Sequence, residues 1–338
     1  MKNNQAIPIN KENFRQIFSK KFAWVIIASI PGALLADYFS IPLAWFLGPM
    51  VITSIITLAG VKTQMPRLVL SIVLIFLGLY IGNYIDKSLF SQINQWIWTS
   101  LIMLGYIIVS VLIVSKYLQK FSGYSKKTSI FSAAPGALGP LLILAENEKS
   151  DLSQVATSHL IRLIIIITVF PFVVDIFNNG QNTNIKEIAN EGQNILELIF
   201  LIILSIILIF LFDRFKIPAA LLAGTLFASG FLQITEIASY RLPENIIDYC
   251  LLILGSSVGC RFADKTFSEI SKNALHSFVA TFLLVLLGLF AAFVASLVID
   301  KNFFTLLLSY CPGGIYEVAV IAIFFDLDPE FVSFHHII

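Results

Sequence analysis

SAAPGALGPLLILAENEKSD, residues 132–151, and SYCPGGIYEVAVIAIFFDLD, residues 309–328, decide how this chain is read. One slides onto the other by 177 positions without a gap, placing Pro135 on Pro312, Gly136 on Gly313, Asp151 on Asp328 and, just beyond, His159 on His336. A Pro-Gly pair inside an apolar run interrupts a helix, because Pro offers no N–H and Gly leaves the backbone unrestrained. Within a bilayer the freed groups are tolerated only where protein or water satisfies them, so a break flanked by spanning helices implies a cavity. Two breaks at matching positions of two halves point to a transport site.

The surroundings of the two stretches are strongly apolar. Of 338 residues, 57% are hydrophobic and 13% charged, with a mean hydropathy of +0.86. A bilayer crossing takes about 20 apolar residues, and the chain offers roughly eleven such stretches. Composition therefore predicts an all-α polytopic membrane protein. The net charge of +1 names no acidic or basic partner. Lys20 and Lys21 precede the first apolar run, but Pro31, Gly32 and Asp37 follow without a small-x-small cleavage site, which predicts a retained helix. Cys250, Cys260 and Cys311 show no C-x-x-C spacing, so neither a disulfide framework nor a zinc site follows.

The organisation expected is a cytoplasmic N-terminal tail at 1–21, a first membrane repeat at 22–178, a polar linker at 179–192 and a second repeat at 193–338. Further landmarks support duplication. DYFSIPLAWFLGPM at 37–50 resembles DRFKIPAALLAGTL at 213–226, and LGLYIG at 77–82 resembles LGSSVG at 254–259. Basic residues mark cytoplasmic loops. They fall around Lys62, Arg67, Lys116, Lys120, Lys126 and Lys127 in the first half, but on the opposite set of connections, at Arg214, Lys216, Arg261, Lys265 and Lys272, in the second. That flip predicts inverted repeats of about five transmembrane helices, each with one Pro-Gly-broken segment that enters and leaves on the same side. The competing arrangement has six crossings per half and parallel repeats.

Ionisable groups inside membrane segments are costly and so are functional candidates. Glu317 follows Gly313 by one helical turn in an apolar run. It either binds a proton, a sodium ion or a cationic substrate, or fixes helix packing. Its partner position in the first half is Pro140. His159 and Arg162 share a helical face, as an anion-binding pair or a proton relay, or else as an interfacial arginine and a capping histidine. His335 and His336 are adjacent and do not face one point on a helix, so no metal site is expected. Binding candidates are Glu317, His159, Arg162, Pro135, Gly136, Gly139, Pro312, Gly313, Gly314 and His336. Asp37, Asp213, Asp86 and Asp264 read as interfacial, and Glu146, Glu148 and Asp151 as a solvated loop. Catalytic motifs such as H-E-x-x-H and G-x-S-x-G are absent, and no basic soluble domain is present to hold DNA. Neither an enzyme nor a cofactor is expected. The partners expected are the lipid bilayer and a small solute or ion, with no direct nucleic-acid contact; a homodimer stays open.

SAAPGALGPLL, SYCPGGIYEVAVIA and the segments that follow them, SDLSQVATSHLIR and LDPEFVSFHHII, resemble the AbrB family of duplicated bacterial membrane proteins. PGGIYE is similar to the family's PGG-x-x-E pattern, whose glutamate maps onto Glu317. The resemblance runs from about residue 25 to the end, and implies a bacterial inner-membrane location. Members are called transcriptional regulators or ammonia monooxygenases, and the family looks similar to transporters with inverted repeats. The resemblance thus leaves three expectations in order: a secondary transporter with its site between the broken segments, a membrane protein acting indirectly on gene expression, and a monooxygenase. The second repeat stops at Ile338, before the counterpart of Arg162, as in a shortened chain or one completed by a partner.

Overall fold

The computed structural model describes residues 11–85, 87, 89–136, 138–177, 195–236, 245–263 and 265–337. Among them the regular structure is entirely helical. The helices are α1 (Lys11–Ile17), α2 (Lys20–Tyr38), α3 (Ala44–Leu58), α4 (Arg67–Gly82), α5 (Leu89–Ser122), α6 (Lys126–Ala133), α7 (Leu138–Asn147) and α8 (Leu152–Phe177). Beyond residue 194 follow α9 (Ile195–Arg214), α10 (Ala220–Thr235), α11 (Asn245–Cys260), α12 (Phe267–Ser296), α13 (Phe303–Tyr310), α14 (Ile315–Phe324) and α15 (Pro329–Ile337). The polar linker expected at 179–192, with Asp86 and Asp264, lies outside the described residues.

Five helices are long and apolar enough to cross a membrane among the described residues: Lys20–Tyr38, Asn94–Ser122, Leu152–Phe177, Leu196–Arg214 and Phe267–Ser296. Their outward faces carry large apolar side chains at helical spacing, as Ile97, Leu101, Leu104, Ile108 and Leu112 do on α5. Such exposed stripes suit lipid and not water. The chain is a polytopic membrane protein. Helices α3, α4, α10 and α11 are shorter, at 15 or 16 residues, which is about 22–24 Å against a hydrocarbon core of about 30 Å. Turns trim two of them: Leu43 and Ala219, each after a proline, take left-handed φ values of 53° and 51° and start α3 and α10.

The chain divides into two compact units, each drawn from both halves of the sequence. The first holds residues 1–90 and 182–264, and the second 91–181 and 265–336. In the first unit α3 packs on α2 and α11, while α10 packs on α9 and α4. Glycines let these backbones meet. A methyl group added to Gly82 would lie 2.6 Å from the Leu226 carbonyl oxygen, and one added to Gly259 would lie 3.0 Å from that of Met50. Gly78 and Gly255 press in the same way on the carbonyls of Leu222 and Phe46. Close approach of this kind is how helices gain packing energy where lipid supplies no hydrophobic drive.

In the second unit α8 packs on α6, α7, α12 and α14, and α12 on α13. Side-chain caps start its helices: Ser125 accepts from Thr128 N at 3.2 Å, and Thr266 and Glu269 form a capping box at the head of α12. This unit contains both Pro-Gly stretches.

Candidate functional site

The first broken segment consists of α6, an interruption at 134–137 and α7. Residue 137 lies outside the described residues. Its two ends come together: Lys127 Nζ, at the start of α6, is 2.7 Å from Glu148 Oε2, just past the end of α7. Asp151 N donates to Thr128 Oγ1 at 3.1 Å. The Lys127 ammonium holds the exposed Glu148 carboxyl below its usual range. The segment therefore turns back on itself. Helices of 8 and 10 residues reach about 12 and 15 Å, half the depth of a hydrocarbon core of about 30 Å.

The second broken segment closes in the same way. Helices α13 and α14 have 8 and 10 residues on either side of Cys311, Pro312, Gly313 and Gly314. Asp328, which follows α14, accepts at 2.7 Å from Lys301 Nζ, just before α13, and at 3.2 Å from Thr305 Oγ1 in its first turn. Thr305 and Asp328 stand 177 positions after Thr128 and Asp151.

At the breaks, the sequence candidates take up what the prolines release. A helix would bond the Phe131 carbonyl to the N–H of residue 135 and the Leu308 carbonyl to that of residue 312, but both are prolines. His159 Nε2 meets the Phe131 oxygen at 2.9 Å, and His336 Nε2 meets the Leu308 oxygen at 3.1 Å. His159 thus satisfies a carbonyl orphaned by a proline, whereas the Leu308 oxygen also accepts from Cys311 N at 3.2 Å and His336 adds a second bond to it. Arg162 continues this work one turn further along α8, donating through Nη1 to Ala134 O at 3.0 Å and through Nη2 to Ser132 O. It is a fully enclosed residue, 3% exposed. Among the described residues its Nε has no hydrogen-bond partner, nor has the buried Ser132 Oγ.

Glu317 is buried on the first turn of α14. Its carboxylate folds back over Gly314, the N-cap residue. A methyl group on Gly314 would meet the carboxylate carbon at 2.8 Å. His336 lies within electrostatic reach of it. The breaks differ in access: Cys311 and Pro312 are buried, whereas Gly136 is exposed and Pro135 half-buried. Gly136 also adopts φ 135°, a conformation that side chains resist. Gly139 lies within α7. Gly313 packs on Val318 and lies 3.6 Å, as judged by an added methyl, from Ile166 Cγ2 on α8.

His335 does not join His336. Its Nε2 meets Thr99 Oγ1 at 2.9 Å and its Nδ1 meets Phe331 O at 2.9 Å. Tyr310, from the end of α13, donates to Thr99 O at 2.9 Å, and its ring lies 6.3 Å from that of Tyr106. Sequence reasoning missed Thr99, Tyr106 and Tyr310, because no local pattern sets an aromatic hydroxyl near a break apart from an ordinary interior tyrosine. Thr128 and Thr305 were findable, since they coincide under the same 177-position shift as the prolines.

The fold and its broken segments define a helical membrane protein with two Pro-Gly-interrupted helical hairpins in one unit. Comparison with known proteins gives its family. The model described as "Transition state regulatory protein AbrB" matches residues 2–90 and 45–338, and the chain belongs to the AbrB family. It is 20% identical over 337 residues to the "Uncharacterized protein YhjN" of Bacillus subtilis (strain 168), covering 92% of this chain and 87% of that relative. It is 22% identical over 285 residues to the "Putative regulator AbrB" of Escherichia coli (strain K12), covering 83% and 81%.

Proposed function

We propose that this chain is a secondary transporter of a small solute, that its two halves are inverted repeats, and that it resides in the bacterial inner membrane. One observation carries the reading: two hairpins interrupted by Pro-Gly share a unit, and each interruption has a buried ionisable side chain beside it, Arg162 at the first and Glu317 at the second. Charges inside a membrane protein are retained where they bind or move something. His159 and His336 act as positioning residues, each bonding a carbonyl of the half-helix that precedes a break.

Duplication is supported by contacts that exchange between halves. Gly78 and Gly82 of α4 meet Leu222 and Leu226 of α10, while Gly255 and Gly259 of α11 meet Phe46 and Met50 of α3. Inversion rests on the flip of basic residues and on the hairpins returning to their side of entry. We assign no catalysis, no cofactor and no direct nucleic-acid contact.

Proteoliposome uptake tests the reading. Solute flux that Glu317→Gln abolishes is the expected result; absence of flux for every solute, ion gradient and lipid tried overturns it. The name of the Escherichia coli relative favours a second reading, a membrane protein acting on gene expression through a partner. Co-purification of a regulatory protein without flux would select it.

A further inference from the structure

Among the described residues, no carboxylate stands near Arg162 to balance its formal charge. The ionisable groups within electrostatic reach are His159, Tyr106 and Cys311, and no carboxylate is among them for the described residues. Carbonyl dipoles at the end of α6 offset part of the charge, as the C-terminus of a helix does for any cation. They leave Nε without a hydrogen-bond partner among the described residues. A buried guanidinium in this condition is costly unless an anion completes it.

The second break shows what kind of anion suits such a place. There the head of α14 is occupied by the chain's own carboxylate, Glu317, folded over Gly314. The first turn of α7 carries no acidic residue, and Pro140 stands where the shift would put the glutamate. The opening N–H groups of α7, at Leu138 and Gly139, have no partner within their own helix. The first break is also the accessible one, with Gly136 exposed.

Building on the transport reading, we propose that the first break is a carboxylate site. The N–H groups at the head of α7 and the Arg162 guanidinium receive the carboxylate of a small monoanionic solute, in the place that Glu317 fills at the second break. The pairing is charge-assisted and, through Nε and one Nη, suited to two oxygens. Glu317 then serves as an internal occupant of its own break and not as the cation ligand of the solute.

The test is binding, so that it stands apart from transport. Purified full-length protein is titrated with sodium salts of C2–C8 monocarboxylates, including 2-hydroxy and 2-oxo acids, against the matching amides, phosphate and sulfate at constant ionic strength. A saturable rise in the thermal midpoint for one or more carboxylates, with none for the amides, is expected. Arg162→Gln should weaken that binding at least about tenfold, the loss of a charge-assisted hydrogen bond. Because Arg162→Gln could also unfold the break, Pro140→Glu gives a second route. It supplies an internal carboxylate, so it should abolish the shift while raising the midpoint without ligand.

Stabilisation by amides, by phosphate or sulfate alone, or by nothing in the panel overturns the carboxylate assignment, as does unchanged binding in folded Pro140→Glu. A carboxylate that binds without crossing proteoliposomes leaves the site standing and removes transport. Flux of a cation without carboxylate binding does the reverse.

Discussion

Replacing Gly255 with alanine tests the helix contacts that build the first unit. A methyl group there would sit 2.9 Å from the Phe46 carbonyl carbon and 3.1 Å from Phe46 Cα, and closer still to the Phe46 oxygen. All three are backbone atoms, so no side chain can swing aside. Helices α3 and α11 would have to part by roughly 0.5–1 Å, a gap that forfeits a quarter to a half of each dispersion contact along the seam. Overpacking of this kind costs about 2–3 kcal/mol, and the helix preference of alanine over glycine returns about 1. The net loss is about 1–2 kcal/mol, or roughly 2–8 °C in midpoint. Gly105→Ala supplies the reference, because its methyl group would meet no atom within 4 Å, and it should be neutral or gain up to about 1 kcal/mol. Both variants would be melted in one detergent at one scan rate by intrinsic fluorescence. If Gly255→Ala melts level with or above Gly105→Ala, the close approach of α3 and α11 is wrong.

Further outcomes are expected at the breaks. His159→Leu should cost about 1–3 kcal/mol by orphaning the Phe131 carbonyl, and Pro135→Ala in the same chain should recover part of it by supplying the missing N–H, as a thermal double-mutant cycle would register. Single cysteines at Lys126 and Asp151, placed after removal of Cys250, Cys260 and Cys311, should label from the same face with a membrane-impermeant thiol reagent; opposite faces would refute the hairpin. The base of that hairpin should also respond to acid. The Glu148 carboxyl is held low by Lys127, so its contribution is present above the ordinary carboxylate pKa and is lost as pH falls through the lowered value. Hydrogen exchange across residues 126–151 should quicken there, and Lys127→Ala should remove that dependence.

Much of this architecture can be read from the residues alone. The breaks at Pro135 and Pro312 follow from backbone chemistry, and each helix lies close to its apolar run. Glu317 facing its break follows from a spacing of one turn. What the sequence could not give is the role of His159 and His336. A histidine on an apolar face looks the same whether it moves protons or bonds a carbonyl beside a proline break, and only the position of the Phe131 and Leu308 oxygens decides. The composition of each unit was equally hidden, because apolar helices pair through glycine contacts whose partners lie far away in sequence, 144 residues for Gly78 with Leu222 and 209 for Gly255 with Phe46.

That interleaving has a consequence for biogenesis. Helix α4 is complete at Gly82, yet its partner α10 begins at Ala220 and α11, completing the unit, ends at Cys260. At 5–20 residues per second the ribosome leaves the early helices waiting roughly 10–35 s before the unit can close. Until then their grooved glycine faces look onto lipid or onto an insertion chaperone. A nascent chain halted after the linker should be cleared quickly, and pulse-chase decay of such a fragment, slowed when the remaining half is supplied as a separate polypeptide, would show the two pieces rescuing each other.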